Sequence, residues 1–599
     1  MHEFRVWAPL PGRVDLVLGG QQAEMTPAGG GWWRCAVDAA GPGTDYAFSL
    51  DGGPPRPDPR SAWQPHGIDG PSRLVDHADF DWHDRNWRGV PLPGAMLYEC
   101  HVGTFSAEGT FDGAIGHLDH LAALGVDAIE LMPVAEFSGD RGWGYDGVDL
   151  FAPHHAYGGP DGLKRLVDAA HGRGIGVVLD VVYNHLGPAG NYLPEFGPYF
   201  SPRHQTGWGD AVNFDGPGSD EVRRFVIGNA LSWLRDYHCD GLRLDAVHAF
   251  ADASATHICE ELAAEVAALA ARTGRPLFLI AESDLNDPRL VNPRAAGGYG
   301  LDAAWADEWH HALHATLTGE RSGYYEEFGP LPLLAKALRQ AWVYDGTYSP
   351  HRQRTHGRSP AGLAGSQFVV CTQNHDQVGN RAAGMRSSAL MSDGRLRIAA
   401  ALLLTGPFTP MLFQGEEWGA TTPFQYFTSH ADPALGRIVS EGRRREFAGF
   451  GWQPADVPDP QDPATFERSR LDWKQPAGQR QGGLLDWYRE LITLRRRLST
   501  LADPRLDRVQ TDYDQDAGWL VVRRGPLLTP SKAVLTASNL GAVAWTLPAS
   551  PDATLLAVSD PRIERSRHGV VLPPDTVAIV AMGPGWNRSE EMKRGLHPR

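Results

Sequence analysis

The chain reads as an α/β protein, a (β/α)8 TIM barrel set between an N-terminal β-sandwich and a C-terminal antiparallel β-sandwich. Three observations predict this. Eight short, apolar, β-rich runs alternate with helical stretches through the middle of the chain. Runs of β type separated by Gly and Pro clusters precede and follow that region without helices between them. The 599 residues, 42% hydrophobic and 21% charged, exceed one ordinary core and are too apolar for a disordered chain.

The elements follow in order. FRVWAP, RVDLVL, WWRCAV and TDYAFSL predict a small sandwich over residues 1–90. The Pro-rich GGPPRPDPR, then Pro91 and Pro93, mark a boundary before a barrel placed at 95–500. Its strands are predicted at MLYECHV, VDAIELMPV, GIGVVLDVVY, GLRLDAV, LFLIAES, LDAAWA, QFVVCTQ and PMLFQG. Near-continuous apolar runs of this kind are what parallel strands buried on both faces require. The intervals after the third and sixth runs are longer than a helix needs, so loop insertions are expected there, shaping the active face. After the helix DWYRELITLRRRL come GWLVVRR, KAVLTASNL, AVAWTLP, TLLAVS and TVAIVAM, predicting the second sandwich over 503–585. A polar, flexible tail is expected over 586–599.

Charge narrows the function. A net charge of −17 argues against nucleic-acid binding, which draws on clustered Lys and Arg, and suits a neutral substrate. The basic runs Arg443 to Arg445 and Arg495 to Arg497 read as solvated helix faces. Five cysteines without a CxxC pair indicate neither a zinc ribbon nor a disulfide framework. The opening MHEFRVWAPL is not a basic segment followed by an apolar run, and no long apolar stretch occurs, so a cytoplasmic protein without a membrane span is expected.

In such a barrel chemistry sits where strands end, on the carboxyl face. The fourth run ends with Arg243 and Asp245, two residues apart and therefore on one side of a strand. The Arg favours the ionised carboxylate that a nucleophile must be. The fifth carries Glu282 out of a strongly apolar strand, where burial keeps a carboxyl protonated, as a general acid requires. The seventh ends with His375 and Asp376. Singly, each carboxylate also reads as an ion-pair or capping group. Together they match a retaining glycosidase, whose nucleophile and acid/base lie about 5 Å apart, with a third carboxylate to hold hydroxyls and stabilise the oxocarbenium-like transition state.

DVVYNH (180–185), GLRLDAVH (241–248), AES (281–283) and NHD (374–376) resemble the conserved segments of the α-amylase superfamily, glycoside hydrolase family 13, and the likeness spans essentially the whole chain. The resemblance implies Asp245 as nucleophile, Glu282 as acid/base and Asp376 as transition-state stabiliser, with His185, Arg243 and His375 binding the sugar. The segment RGWGYDGVDLFAPHHAYGGPDG adds Tyr145, whose ring would stack on the same glucose. The N-terminal sandwich resembles the carbohydrate-binding-module-like domain that precedes branching and debranching members. Among superfamily members, the wording is most similar to those that release trehalose. This implies hydrolysis of the α-1,4 bond next to the terminal trehalose unit of maltooligosyltrehalose, no cofactor, and functional pairing with a synthase that makes that substrate.

Two rivals stay open. A glycogen branching enzyme would pass the same covalent glycosyl group to a sugar hydroxyl. It is disfavoured by Asn374-His375-Asp376-Gln377 and Ala281-Glu282-Ser283-Asp284, since branching enzymes resemble Ser-His-Asp-Glu and Glu-Glu-Ser there. A non-catalytic glucan-binding protein of the same fold is disfavoured by retention of all three carboxylates. Trp208, with Tyr324, Tyr325 and Arg354 on the segment after the sixth strand, are candidates to line trehalose-recognising subsites; aromatics on long loops also serve to pin those loops. Asn184 stands where many amylases hold calcium, but Val247-His248 follows the nucleophile and no Asp-rich loop accompanies it, so no required metal is expected. The pairs His154-His155 and His310-His311 read as structural, because adjacent residues point apart on regular elements and spacing fixes no carboxylate partner.

Overall fold

A computed structural model describes residues 1–448, 452–453, 456–526 and 533–583; the expected tail at 586–599 lies outside the described residues. Eight parallel strands close a barrel: β1 (Leu97–Cys100), β2 (Ala128–Leu131), β3 (Gly176–Val181), β4 (Gly241–Leu244), β5 (Phe278–Ala281), β6 (Ala303–Trp305), β7 (Phe368–Cys371) and β8 (Thr409–Phe413). Sequence order is spatial order, and β8 pairs β1 to complete the ring. Seven fall inside a predicted run, and β8 begins one residue before its run PMLFQG.

The two-residue repeat of a strand sorts the side chains. Ile129, Leu131, Val177, Leu179, Leu242, Leu244, Leu279 and Leu412 join the large core shared with the helices. The alternate residues Leu97, Ala128, Val178, Phe278, Ile280, Ala303, Trp305, Val369, Cys371 and Met411 form a separate apolar cluster inside the ring. One step further along this inward face, Glu99, Glu130, Asp180 and Arg243 follow Leu97, Ala128, Val178 and Gly241. All four are buried, so a layer of ionisable side chains caps the apolar one beneath the active face.

Antiparallel sheets flank the barrel, as expected. Before it, His2–Trp7, Trp32–Val37 and Thr26–Gly29 form one sheet, and Gln21–Glu24, Val14–Leu18, Asp45–Leu50 and Pro55–Arg56 another, with Ser72–Arg73 on its side. After it, a five-stranded sheet built around Trp519–Arg524, Val534–Asn539 and Thr576–Ala581 faces a three-stranded one across its own apolar cluster. Both sets are fastened to the barrel. Trp7 meets Tyr199 edge-on at 5.3 Å, and the hydroxyls of Thr405 and Thr536 bond at 2.8 Å.

The rim is more elaborate than the intervals suggested. The expected insertions after β3 and β6 carry the hairpins Phe200–Thr206 with Gly209–Val212 and Thr347–Ser349 with Arg354–His356. A further hairpin after β2, Ala135–Phe137 with Gly147–Pro153, and a helix after β8, Pro433–Ala448, were not foreseen. Their Gly- and Pro-rich flanks resemble ordinary loops.

The basic runs also need correction. Arg495 is buried and donates to the carbonyls of Leu404, Gly406 and Phe408. Arg443 donates to Gly379 O and Asn380 Oδ1. Consecutive residues on a helix spread over a wide arc, so a basic triplet turns at least one member towards the protein.

Candidate active site

The first link is on β4. Arg243 Nη1 lies 2.8 Å from Asp245 Oδ1 and 2.8 Å from both carboxylate oxygens of Asp180 on β3. Its guanidinium stacks on Trp305 of β6, 4.2 Å from the ring centroid. Nη2 faces Glu282 Oε2 at 3.8 Å. A planar fork with five donors can serve several carboxylates from one fixed position, which an ammonium cannot. The sequence-derived pairing of Arg243 with Asp245 is thus present, within a larger set.

Glu282 leaves β5 beside the nucleophile candidate. Its Oε2 accepts from the backbone N–H of Ala246 at 2.5 Å. Ala246 holds φ +41°, a left-handed conformation that a Cβ-bearing residue adopts at a cost and that clusters at functional sites. Burial, reinforced by the charges of Asp245 and its neighbours against the opposing pull of Arg243, raises the Glu282 carboxyl to about 8. It is therefore protonated at neutral pH. Asp307 is raised to about 7 by burial and by Asp376.

The third carboxylate is the most open. Asp376 has 42% of its side chain exposed and sits in the first turn of a short helix capped by Asn374, whose Oδ1 accepts from the N–H groups of Asp376 and Gln377. His375 is buried beside it, with Nε2 3.5 Å from Asp376 Oδ2. Its Nδ1 meets Glu99 Oε1 at 2.5 Å, its N–H donates to Glu99 Oε2, and its Nε2 lies 2.8 Å from the Tyr145 hydroxyl. Burial alone would lower the His375 pKa, but Asp376 and Glu99 overcome it and lift it to about 9. The imidazolium donates from both nitrogens. Tyr145 passes the chain on, donating to Asp180 Oδ2 at 2.6 Å. One continuous path thus runs Glu99, His375, Tyr145, Asp180, Arg243, Asp245.

Sequence reasoning missed Glu99, Glu130 and Asp180 as members of this network. The available signal was a lone carboxylate within each of the otherwise apolar strands LYEC, AIEL and VVLDV. Glu130 makes no hydrogen bond through either oxygen, and burial beside Glu99 raises its pKa well above the ordinary carboxylate value, which favours its neutral form.

Tyr145 and His185 belong to the wall of a cavity of about 310 Å3, together with Trp143, Trp208, Tyr426 and Arg443. The three carboxylates are not part of that wall; Tyr145 connects the two, lining the cavity and bonding through its hydroxyl into the network of ionisable groups. Gly144 precedes it with φ +97°, and a Cβ there would collide with the Pro133 carbonyl oxygen, so glycine lets the loop close onto the end of β2. His185 Nε2 lies 2.9 Å from the Tyr145 carbonyl oxygen, and its ring is stacked on Trp208 at 4.8 Å and 4°.

The remaining candidates separate. Trp208, 53% exposed, reaches the site from the hairpin after β3. Tyr325 is 1% exposed, bonded through its hydroxyl to His310 Nε2 and stacked on His314, and lines none of the cavities described. Its neighbour Tyr324 is less buried and close enough for Asp376 to act on its hydroxyl. Arg354 is exposed on its hairpin, which docks through His356 Nε2 on the Asp284 carbonyl oxygen at 2.8 Å. His310 is a satisfied core histidine, its Nδ1 on Thr372 O.

Such a layer can hold one carboxylate ionised, keep a second protonated beside it, and present a fixed imidazolium and guanidinium to a neutral, hydroxyl-rich ligand. A sequence model of the α-amylase catalytic domain matches residues 77–198. The chain is 55% identical to the malto-oligosyltrehalose trehalohydrolase of Arthrobacter ramosus over 88% of this chain and 91% of that one. It is 50% identical to the enzyme of that name from Rhizobium sp. strain M-11, over 96% and 97%. A crystal structure from Salmonella typhimurium, provisionally described as an α-amylase, superposes with a TM-score of 0.88 at 40% identity over 97% of both chains.

Proposed function

Because the chain belongs to the malto-oligosyltrehalose trehalohydrolase family of the α-amylase superfamily, we propose that Asp245, Glu282 and Asp376 divide its chemistry between them. The reaction is hydrolysis of the α-1,4 linkage next to the terminal trehalose unit of maltooligosyltrehalose, with release of trehalose by retaining double displacement. Asp245 attacks the anomeric carbon while Glu282 gives its proton to the glycosidic oxygen, and trehalose leaves. Glu282, now a carboxylate, takes a proton from water, whose oxygen opens the Asp245 ester and frees the shortened glucan. Asp376 holds sugar hydroxyls as the ring flattens, and Arg243, His375, His185 and Tyr145 fix the glucose that is cut.

The observation that carries this reading is the contrast between two carboxyls sharing one buried arginine. Asp245 is bonded to Arg243 at 2.8 Å, whereas Glu282 stands off at 3.8 Å and titrates at about 8. Environment thus separates their roles.

The decisive assay incubates the protein with maltooligosyltrehalose and with plain maltooligosaccharide. Trehalose from the first is expected; α-1,6 branches without trehalose would establish the transferase rival. D245A should lower hydrolysis by a factor on the order of 10⁴ or more, and near wild-type turnover would remove Asp245 as nucleophile. Trehalose release further requires a separate synthase to build the terminal unit. We place both reactions in the cytoplasm, a reading supported by five unpaired cysteines. Among the described residues no helix is long and apolar enough to cross a membrane.

A further inference from the structure

Away from that layer of ionisable groups, three side chains converge where the hairpin after β2 meets the following turn. Glu136 lies on the strand Ala135–Phe137, His154 follows the end of its partner strand, and His155 opens the short turn His155–Tyr157. His154 Nδ1 is 3.2 Å from Glu136 Oε2, and His155 Nδ1 is 2.6 Å from Glu136 Oε1. One ligand atom from each residue lies within 4.8 Å of the other two. The rule that neighbouring side chains diverge does not hold here, because the pair sits where the strand has ended and a 3-10 turn begins.

Both imidazoles pair with Glu136, but His155 is satisfied through both ring nitrogens and His154 is not. The His154 side chain is fully buried and lies flat on Phe137 at 3.8 Å; its Nε2 has no hydrogen-bond partner, and its Nδ1, 3.2 Å from Glu136 Oε2, lacks the geometry of a hydrogen bond. Buried polar atoms are rarely left so. Yet its Nδ1 is aimed at a carboxylate that is itself held in place by the backbone N–H of His155, which donates to Oε2 at 2.8 Å. On the far side of His155, Nε2 lies 3.2 Å from Asp140 Oδ1. A carboxylate behind a histidine is the outer support that fixes a metal-bound imidazole.

We propose that Glu136, His154 and His155 form a binding site for one divalent ion of the zinc class, with Asp140 as its outer support. Two imidazoles and a carboxylate suit zinc, whereas calcium takes oxygen donors. Bond lengths near 2.0–2.1 Å place tetrahedral ligand atoms about 3.3 Å apart; the His154–Glu136 spacing of 3.2 Å already matches this, and the His155–Glu136 spacing of 2.6 Å must open. The ion fastens both strands of the hairpin at its base. Phe137, stacked on His154, is also part of the wall of the cavity that contains Tyr145, so the site steadies the loop carrying Tyr145.

The test is calorimetric titration of the chelator-treated full chain with zinc chloride, with cobalt substitution as the spectroscopic readout. One equivalent of zinc should bind, thermal stability should rise on binding, and the cobalt form should show the absorption of a four-coordinate N/O site. H155A, at a side chain one-quarter exposed, should abolish that equivalent. D140N, at a side chain 71% exposed and so safe for folding, should weaken it about 10-fold or more. Failure of the wild type to bind one equivalent overturns the proposal. So does unchanged affinity in both variants, since the chain has 24 histidines that can adsorb zinc elsewhere.

Discussion

Glu99 and His375 form a 2.5 Å carboxylate–imidazole pair between β1 and the loop after β7, and this pair sets the charge of the active face. With Glu99 in place the imidazole titrates at about 9 and donates through Nε2 to Tyr145. Asp376 and Glu99 together counter burial; E99Q removes the second of these charges, so the His375 pKa should fall. The imidazolium is lost as pH rises through its pKa, so the His375 ring, followed by NMR, should titrate at lower pH in E99Q than in the wild type. An unchanged His375 titration would show that Glu99 is only a packing residue.

As the proposed acid, Glu282 should set the wild-type alkaline limb. Protonation of the leaving oxygen requires the neutral carboxyl, which is present below about 8 and disappears above it. Initial rates from pH 5 to 10 should therefore fall through about pH 8. E282Q should lose about 10²- to 10⁴-fold in kcat on the natural substrate, and far less on a substrate whose leaving group needs no proton. An equal loss on both substrates would contradict the role of acid.

The same shift has a cost in stability. A carboxyl with a folded pKa above its unfolded value binds its proton more tightly in the folded state. That contribution is full below the ordinary carboxyl pKa of 4.5 and is lost as pH rises through about 8. E282Q carries no such linkage. Its melting temperature should exceed that of the wild type at pH 8, by on the order of 2 °C, and approach it near pH 4.5. Calorimetry at the two pH values checks the sign.

What was legible in the sequence follows from strand physics. Runs buried on both faces stand out, and a polar residue at the end of such a run is conspicuous, as Asp245, Glu282 and Asp376 were. A carboxylate in mid-strand is ambiguous, because inward and outward positions differ by one residue and the sequence does not say which way Glu99, Glu130 or Asp180 faces. Which strand ends meet is set by barrel closure, so the reach of Arg243 to Asp180 on the neighbouring strand appears only once β3 and β4 pair. The loops were least legible. Nothing in GYYEE distinguishes Tyr324 from Tyr325, and nothing in PHHAY shows that both imidazoles turn onto Glu136.

Trp208 and Tyr325 allow the loop readings to be separated by experiment. Both are aromatic, and both stand on insertions expected to shape the substrate site. Trp208 is half exposed, stacked on His185 and part of the wall of the cavity with Tyr145. Tyr325 is buried, with its hydroxyl on His310. A ring available to a sugar face contributes binding in ground state and transition state alike, so its loss raises KM more than it lowers kcat. W208A should raise KM for maltooligosyltrehalose several-fold to about 10-fold, matching a stacking contribution of about 0.5–1.5 kcal/mol, with kcat little changed. Y325F leaves the ring and removes one buried hydrogen bond, so it should lower stability by about 1 kcal/mol with KM unaltered. Steady-state kinetics and denaturant unfolding on the two variants check both. A KM effect in Y325F with none in W208A would return substrate recognition to the loop after β6.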